Sequence, residues 1–222
     1  MKINYRLKVP AIVNIFCICA ILAKLELKQS DGIFSILVCC ALVWVPSLVK
    51  KIFRINIPAL FEYAGLWQMT FCIAFGSGLD FYYLIPAWDI IAHTFSGVLW
   101  SFGALWFLNV LNQKLNTGMF LFYSFLFSTT SSVVWELFEF FMDRLRDASD
   151  MQRAKYATSG VAGLMDTMVD LVCNFIGCII FIGIFIYDKK KRDSALIEEF
   201  NAECNRVAKV VNSEENDEIY SD

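Results

Sequence analysis

Charged side chains are scarce in this sequence: they make up 18% of its 222 residues, whereas a soluble domain averages about a quarter. That scarcity excludes an ordinary soluble domain of this length, whose surface would need far more polar area. Basic clusters interleaved with aromatic residues are lacking as well, which sets nucleic-acid binding aside. Histidine occurs only once, at His93. The cysteines (Cys17, Cys19, Cys39, Cys40, Cys72, Cys173, Cys178 and Cys204) lack the paired loop spacing of a zinc site or a disulfide framework. All but Cys204 sit inside apolar runs and read as small packing residues. No internal repeat is visible. Lys2, Arg6 and Lys8 precede a short apolar stretch, but no small-x-small cleavage site follows, so this segment reads as an uncleaved anchor.

What the sequence does have is long apolar runs. It is 58% hydrophobic and holds 21 Phe. The apolar residues run on instead of alternating, which points to lipid as the solvent. The fold class expected is all-α: a polytopic membrane protein with about six transmembrane helices, at 9–27, 32–49, 59–78, 88–111, 118–142 and 163–187. Each is long enough to cross a hydrocarbon core of about 30 Å at about 1.5 Å per residue. Lys24 lies near the end of the first and is expected to snorkel. Glu62 is expected to pair with Lys50, Lys51 or Arg54. Tyr82, Tyr83, Trp88 and Trp135 read as interfacial aromatics.

The tail, 188–222, is a different material. Leu196, Ile197, Phe200, Cys204, Val207 and Val211 recur at helical spacing, as in an amphipathic helix with a solvated end. The acidic stretch 212–222 reads as disordered. With six spans, Lys2, Arg6, Lys8, Lys50, Lys51, Arg54, Lys114, Lys189, Lys190, Lys191 and Arg192 fall on one side, which places both termini in the cytoplasm. Arg144, Arg146, Arg153 and Lys155 fall on the other side and run against the rule.

Intramembrane charge is expensive, so the positions that keep it are informative. Asp89 and His93 stand at i and i+4 near the start of the fourth span, on one helical face. Glu136 and Glu139 share a face near the end of the fifth. Asp166, Asp170 and Asn174 form a stripe at the start of the sixth, followed by Gly177. In this topology all three groups lie in the outer leaflet. They amount to five carboxylates and one imidazole, with no lysine or arginine inside these spans. Five close anions in a low-dielectric site cannot all stay ionised. Shared protons, a bound cation, or Arg144 and Arg146 folding back would each resolve the conflict. For a cation, carboxylates with one imidazole suit Mn, Fe, Mg or Zn. A structural polar network and a proton or ion pathway are the other readings of the same residues. The hydroxyl run Ser128, Thr129, Thr130, Ser131 and Ser132 is expected to bond to its own helix or a neighbour, and Gly97 with Ser101 to mark a close helix contact.

The segments WDIIAHTFSG (88–97), WELFE (135–139) and DTMVDLVCNFIG (166–177) resemble the YjdF-like family of bacterial inner-membrane proteins and, more distantly, the VanZ-like family associated with low-level glycopeptide resistance. The resemblance spans about 88–183. It implies a site with Asp89 and His93 as an Asp-x-x-x-His element, Glu136 and Glu139 as a paired acidic element, and Asp166 with Asp170 as a paired Asp element. Asn174 and Gly177 match an Asn-x-x-Gly ending. Ile90 stands where VanZ-like proteins often have lysine, and Glu139 where they often have glutamine, which favours the YjdF-like side. A bacterial plasma-membrane location follows from the resemblance, but no reaction does.

Three functions are expected from these residues. In the first, Asp89, His93, Asp166 and Asp170 bind a divalent metal, Glu136 and Glu139 act catalytically, and Asn174, Trp88 and Trp135 support them. Such an enzyme would work on a lipid-linked or envelope substrate. The second is a proton- or ion-coupled transporter. The third is a polar-glued, non-catalytic bundle that recruits a partner. The lipid bilayer is a partner in all three, and no oligomeric state follows from the sequence.

Overall fold

The structure is a computed structural model describing residues 5–53, 55, 57–145, 149–152 and 160–204, with side chains from residue 8. The expectations for Lys2, Arg54, Arg146, Arg153, Lys155, Val207, Val211, the acidic stretch 212–222 and the side chain of Arg6 lie outside the described residues. Every regular element among the described residues is helical. Five stretches are long and apolar enough to cross a membrane: Lys8–Glu26, Ile33–Phe53, Trp88–Val110, Thr117–Leu145 and Ala162–Lys191. The chain is an all-α protein with several membrane-crossing helices.

It forms two compact units. The first comprises Met1–Trp88, Asn109–Gln113 and Ser194–Asp222. It contains α1 (Tyr5–Glu26), α2 (Ile33–Leu42), α3 (Val45–Phe53) and α4 (Ala59–Met69). Helix α4 continues as a π-helix over Thr70–Gly78, and a short α5 (Phe81–Leu84) follows. Helices α2 and α3 are parts of one apolar stretch, broken where Pro46 enters. Proline has no N–H to offer the carbonyl four residues back, and its ring crowds that carbonyl. The core of this unit is built from small and branched side chains, Cys17, Ile36, Cys39, Val43, Leu66 and Ala74. Its two buried cysteines are free thiols packing as apolar groups.

Polar groups in this unit find partners. Lys50 Nζ donates to Glu62 Oε1 at 2.5 Å, and the Glu62 side chain is 1% exposed. Lys24 is buried, donating to the Asp31 carbonyl at 2.7 Å and to Asp80 Oδ2 at 3.3 Å. An ammonium held in this way is compensated where it stands.

The expectation of a solvated tail is corrected. A helix over 195–204, α9, buries Ile197, Phe200 and Cys204 in the first unit. Glu203 Oε1 accepts from the backbone N–H of Ala59 at 2.9 Å, satisfying one of the donors that the start of α4 leaves open. Asn109 and Asn201 add a side-chain hydrogen bond at 2.9 Å.

The second unit, Asp89–Leu108 with Lys114–Asp193, is built from three long helices: α6 (Trp88–Val110), α7 (Thr117–Leu145) and α8 (Ala162–Lys191). Phe102, Phe120, Phe181 and Phe185 meet edge-on or tilted in its interior, the arrangement that ring quadrupoles favour.

Candidate metal centre

The site in the second unit begins with two glycines. A Cβ on Gly97 of α6 would stand 2.2 Å from the Asn174 carbonyl oxygen of α8, and one on Gly177 would stand 2.1 Å from the Thr94 carbonyl oxygen of α6. The backbones of α6 and α8 therefore touch, and only glycine leaves room for the crossing. The hydroxyl run of α7 serves this crossing. Ser128 Oγ donates to the Gly97 carbonyl at 3.1 Å and Ser101 Oγ to the same carbonyl at 2.8 Å. Asn174, fully buried, donates to Ser128 Oγ at 3.4 Å.

One to two turns from the crossing stand the titratable groups. His93 lies one turn before Gly97 and Asp170 one turn before Asn174. Nε2 of His93 faces Asp89 Oδ1 at 3.4 Å and Asp170 Oδ2 at 3.7 Å. Its other nitrogen, Nδ1, faces Glu136 Oε1 at 3.9 Å. The single imidazole thus sits between carboxylates from all three helices. Glu139, one turn beyond Glu136, accepts from the Trp135 indole N–H at 2.8 Å. His93, Glu136, Glu139 and Asp170 are all buried, at 7%, 5%, 7% and 2% exposure.

Ligand atoms from two sets of three residues lie within 4.8 Å of one another: Asp89, His93 and Asp170, and Glu136, Glu139 and Asp170. Either set could hold an ion once its side chains draw in to the spacing that an ion requires. Among the described residues neither oxygen of Glu136 receives a hydrogen bond, although both are buried. A buried carboxylate left in this state is costly unless a cation or proton meets it.

The structure does not bring every expected residue to this point. Asp166 is half-buried one turn before Asp170 and belongs to neither set. Trp88 lies in the first unit, where its indole donates to the Phe71 carbonyl at 3.2 Å and stacks on the Phe71 ring at 3.7 Å. Arg144 is exposed, with its guanidinium over the Phe140 ring at 5.0 Å. Asn174 sits in the crossing beside the cluster.

Asp143 was not singled out by its place in the sequence, where it stands among the acids of a loop. Its carboxylate accepts from Ser149 Oγ at 2.6 Å and from the backbone N–H groups of Met151 and Gln152 at 2.8 and 2.9 Å. Gln152 in turn donates to Thr167 Oγ1 of α8 at 2.9 Å. The chain leaving α7 is thereby tied back to both helices next to the cluster. An aspartate in the last turn of a helix, followed by a serine six residues on, was the available signal.

No curated protein and no solved structure matches this chain. A family model does match, over residues 9–191, and its description is predicted membrane protein (DUF2238). With its apolar membrane-crossing helices and a match over most of its length, the chain belongs to the predicted membrane protein family DUF2238.

Proposed function

We propose that this protein is a metal-dependent membrane enzyme, hydrolase or transferase, acting on a lipid-linked or envelope substrate. The observation that carries the proposal is His93. Its Nε2 faces Asp89 and Asp170 while its Nδ1 faces the carboxylate of Glu136. An imidazole nitrogen turned toward two carboxylates on neighbouring helices offers a divalent ion a mixed nitrogen and oxygen donor set. The donor set is oxygen with one nitrogen, suited to Mn, Fe, Mg or Zn.

Asp89, His93 and Asp170 would hold a divalent ion, whose chemistry would be to make a water more acidic at neutral pH. Glu136, without a hydrogen-bond partner among the described residues, would be the base that takes the proton as the water oxygen attacks the substrate's electrophilic centre. The departing oxygen then recovers that proton. Glu139, held by Trp135, orients the pair.

The membrane arrangement belongs to the same proposal. Counting the α4–π-helix stretch as a sixth crossing puts both termini in the cytoplasm by the positive-inside rule and the cluster in the outer leaflet of a bacterial plasma membrane. Burial of the cluster among three helices, with a tied loop beside it, supports a site that is closed to bulk water.

The test is metal content. Protein purified in mild detergent without chelator, wild type beside Asp89→Asn, would be analysed by elemental mass spectrometry and then offered lipid-linked phosphate and ester substrates. Bound metal in wild type, reduced in the variant, with metal-dependent turnover abolished by Glu136→Gln, is the expected result. A wild-type protein that takes up none of Mn²⁺, Zn²⁺ or Mg²⁺ would refute the proposal.

A further inference from the structure

Resting on that reading of the site, we infer that the centre is dinuclear, with Asp170 as the carboxylate shared by two divalent ions. There are two sets of potential ligands. One uses Asp89 and His93 on α6, the other Glu136 and Glu139 on α7, and Asp170 on α8 is the only member of both. Asp170 Oδ2 is the oxygen turned toward His93. A carboxylate between two ligand sets is what a two-metal site requires, with ions roughly 3.5–4 Å apart.

Charge balance points the same way. Asp89, Glu136, Glu139 and Asp170 carry four negative charges when ionised, and residues 88–110, 117–143 and 162–188 contain no lysine or arginine. One divalent ion would leave two of those charges, and that of half-buried Asp166, to be met by protons or by a second ion in a low-dielectric interior. Glu136 is the independent sign of the second ion. It is 5% exposed, it faces the cluster, and among the described residues neither of its oxygens has a hydrogen bond. Glu139 spends one oxygen on the Trp135 indole and keeps the other for ligation, as ligating carboxylates do when an outer partner fixes them. In a dinuclear centre one oxygen of Glu136 would help hold the second ion and the other would remain the acceptor for the water's proton.

The experiment uses full-length protein in detergent, stripped and reloaded with Mn²⁺, and reads two quantities on wild type before any variant is made. Elemental analysis gives the number of ions per chain, and electron paramagnetic resonance reports whether their spins couple. Two ions per chain with a coupled spectrum is the expected result, falling in Glu139→Gln to one ion with the signal of isolated Mn²⁺. One uncoupled ion in wild type overturns the dinuclear centre while leaving the metal-dependent reading standing. Two uncoupled ions overturn it also, because the second would then lie away from Asp170. No bound ion overturns both.

Discussion

Replacing Gly177 with alanine tests whether the backbone crossing is what assembles the site. The added Cβ would lie 2.1 Å from the Thr94 carbonyl oxygen, 2.8 Å from Gly97 Cα and 3.0 Å from the Val98 nitrogen. All three are backbone atoms of α6, so no rotamer change relieves them. Restoring ordinary contact requires the helices to part by roughly 1 Å, an overpacking cost of ~1–3 kcal/mol, with the upper end expected where backbone must move. The same movement reaches the cluster. Two ligands on one ion lie at most ~4 Å apart when each bond is about 2.1 Å. The His93–Asp170 separation of 3.7 Å fits that limit, and a further ångström exceeds it. Gly177→Ala should therefore melt several degrees lower in detergent and lose bound metal. Gly183→Ala is the control on the same helix: its Cβ would meet nothing within 4 Å, and alanine improves helix propensity by up to ~1 kcal/mol. If Gly177→Ala matches wild type in both melting and metal content, the crossing does not position the ligands and the reasoning fails.

Lys50→Ala leaves Glu62 buried without its partner and should cost about 3–5 kcal/mol; adding Glu62→Gln should restore part of that, and a double-mutant cycle by thermal melting measures it. Trp135→Phe removes the indole donor from Glu139 and should weaken metal affinity by about 10–100-fold with only a small change in melting, since the loss is that of an orienting partner; competition with a metal-indicator dye reads it. Phe200→Ala, at a position 4% exposed, should destabilise by about 3–5 kcal/mol. A solvated tail would instead make that variant neutral, which the same melting assay distinguishes.

The helical, membrane-spanning class was legible because composition and run length respond directly to lipid: an apolar stretch of about 20 residues is the length that a bilayer crossing demands. Pairs on one helix were legible for a similar reason, since spacing of three or four residues sets a shared face whatever the surroundings. That reasoning grouped Asp89 with His93 and Glu136 with Glu139, and antiparallel succession put both at the end of the bundle where Asp170 begins. Spacing says nothing about how deep a face is buried, so it could not separate Asp170 from Asp166 one turn away. Contacts between distant segments were beyond it. Lys24 finds Asp80 across 56 residues, and Trp88 is captured by Phe71 because that ring and carbonyl are presented together. The Glu62 partner was narrowed to three cations on the preceding segment, and only three-dimensional packing singles out Lys50.

The link between Glu203 and Ala59 spans 144 residues, and it bears on how the chain is made. The second unit draws on nearly continuous sequence, so its three helices can meet as soon as they emerge. The first unit is assembled from three separated stretches, the last of which is Ser194–Asp222. The start of α4 must wait for its cap until every helix of the other unit has been synthesised, a delay of about 7–30 s at about 5–20 residues per second. Closing so long a loop carries an entropic cost that grows only slowly with length, so the wait is set by synthesis and not by search. The half of the protein that is translated first is therefore the half that is finished last.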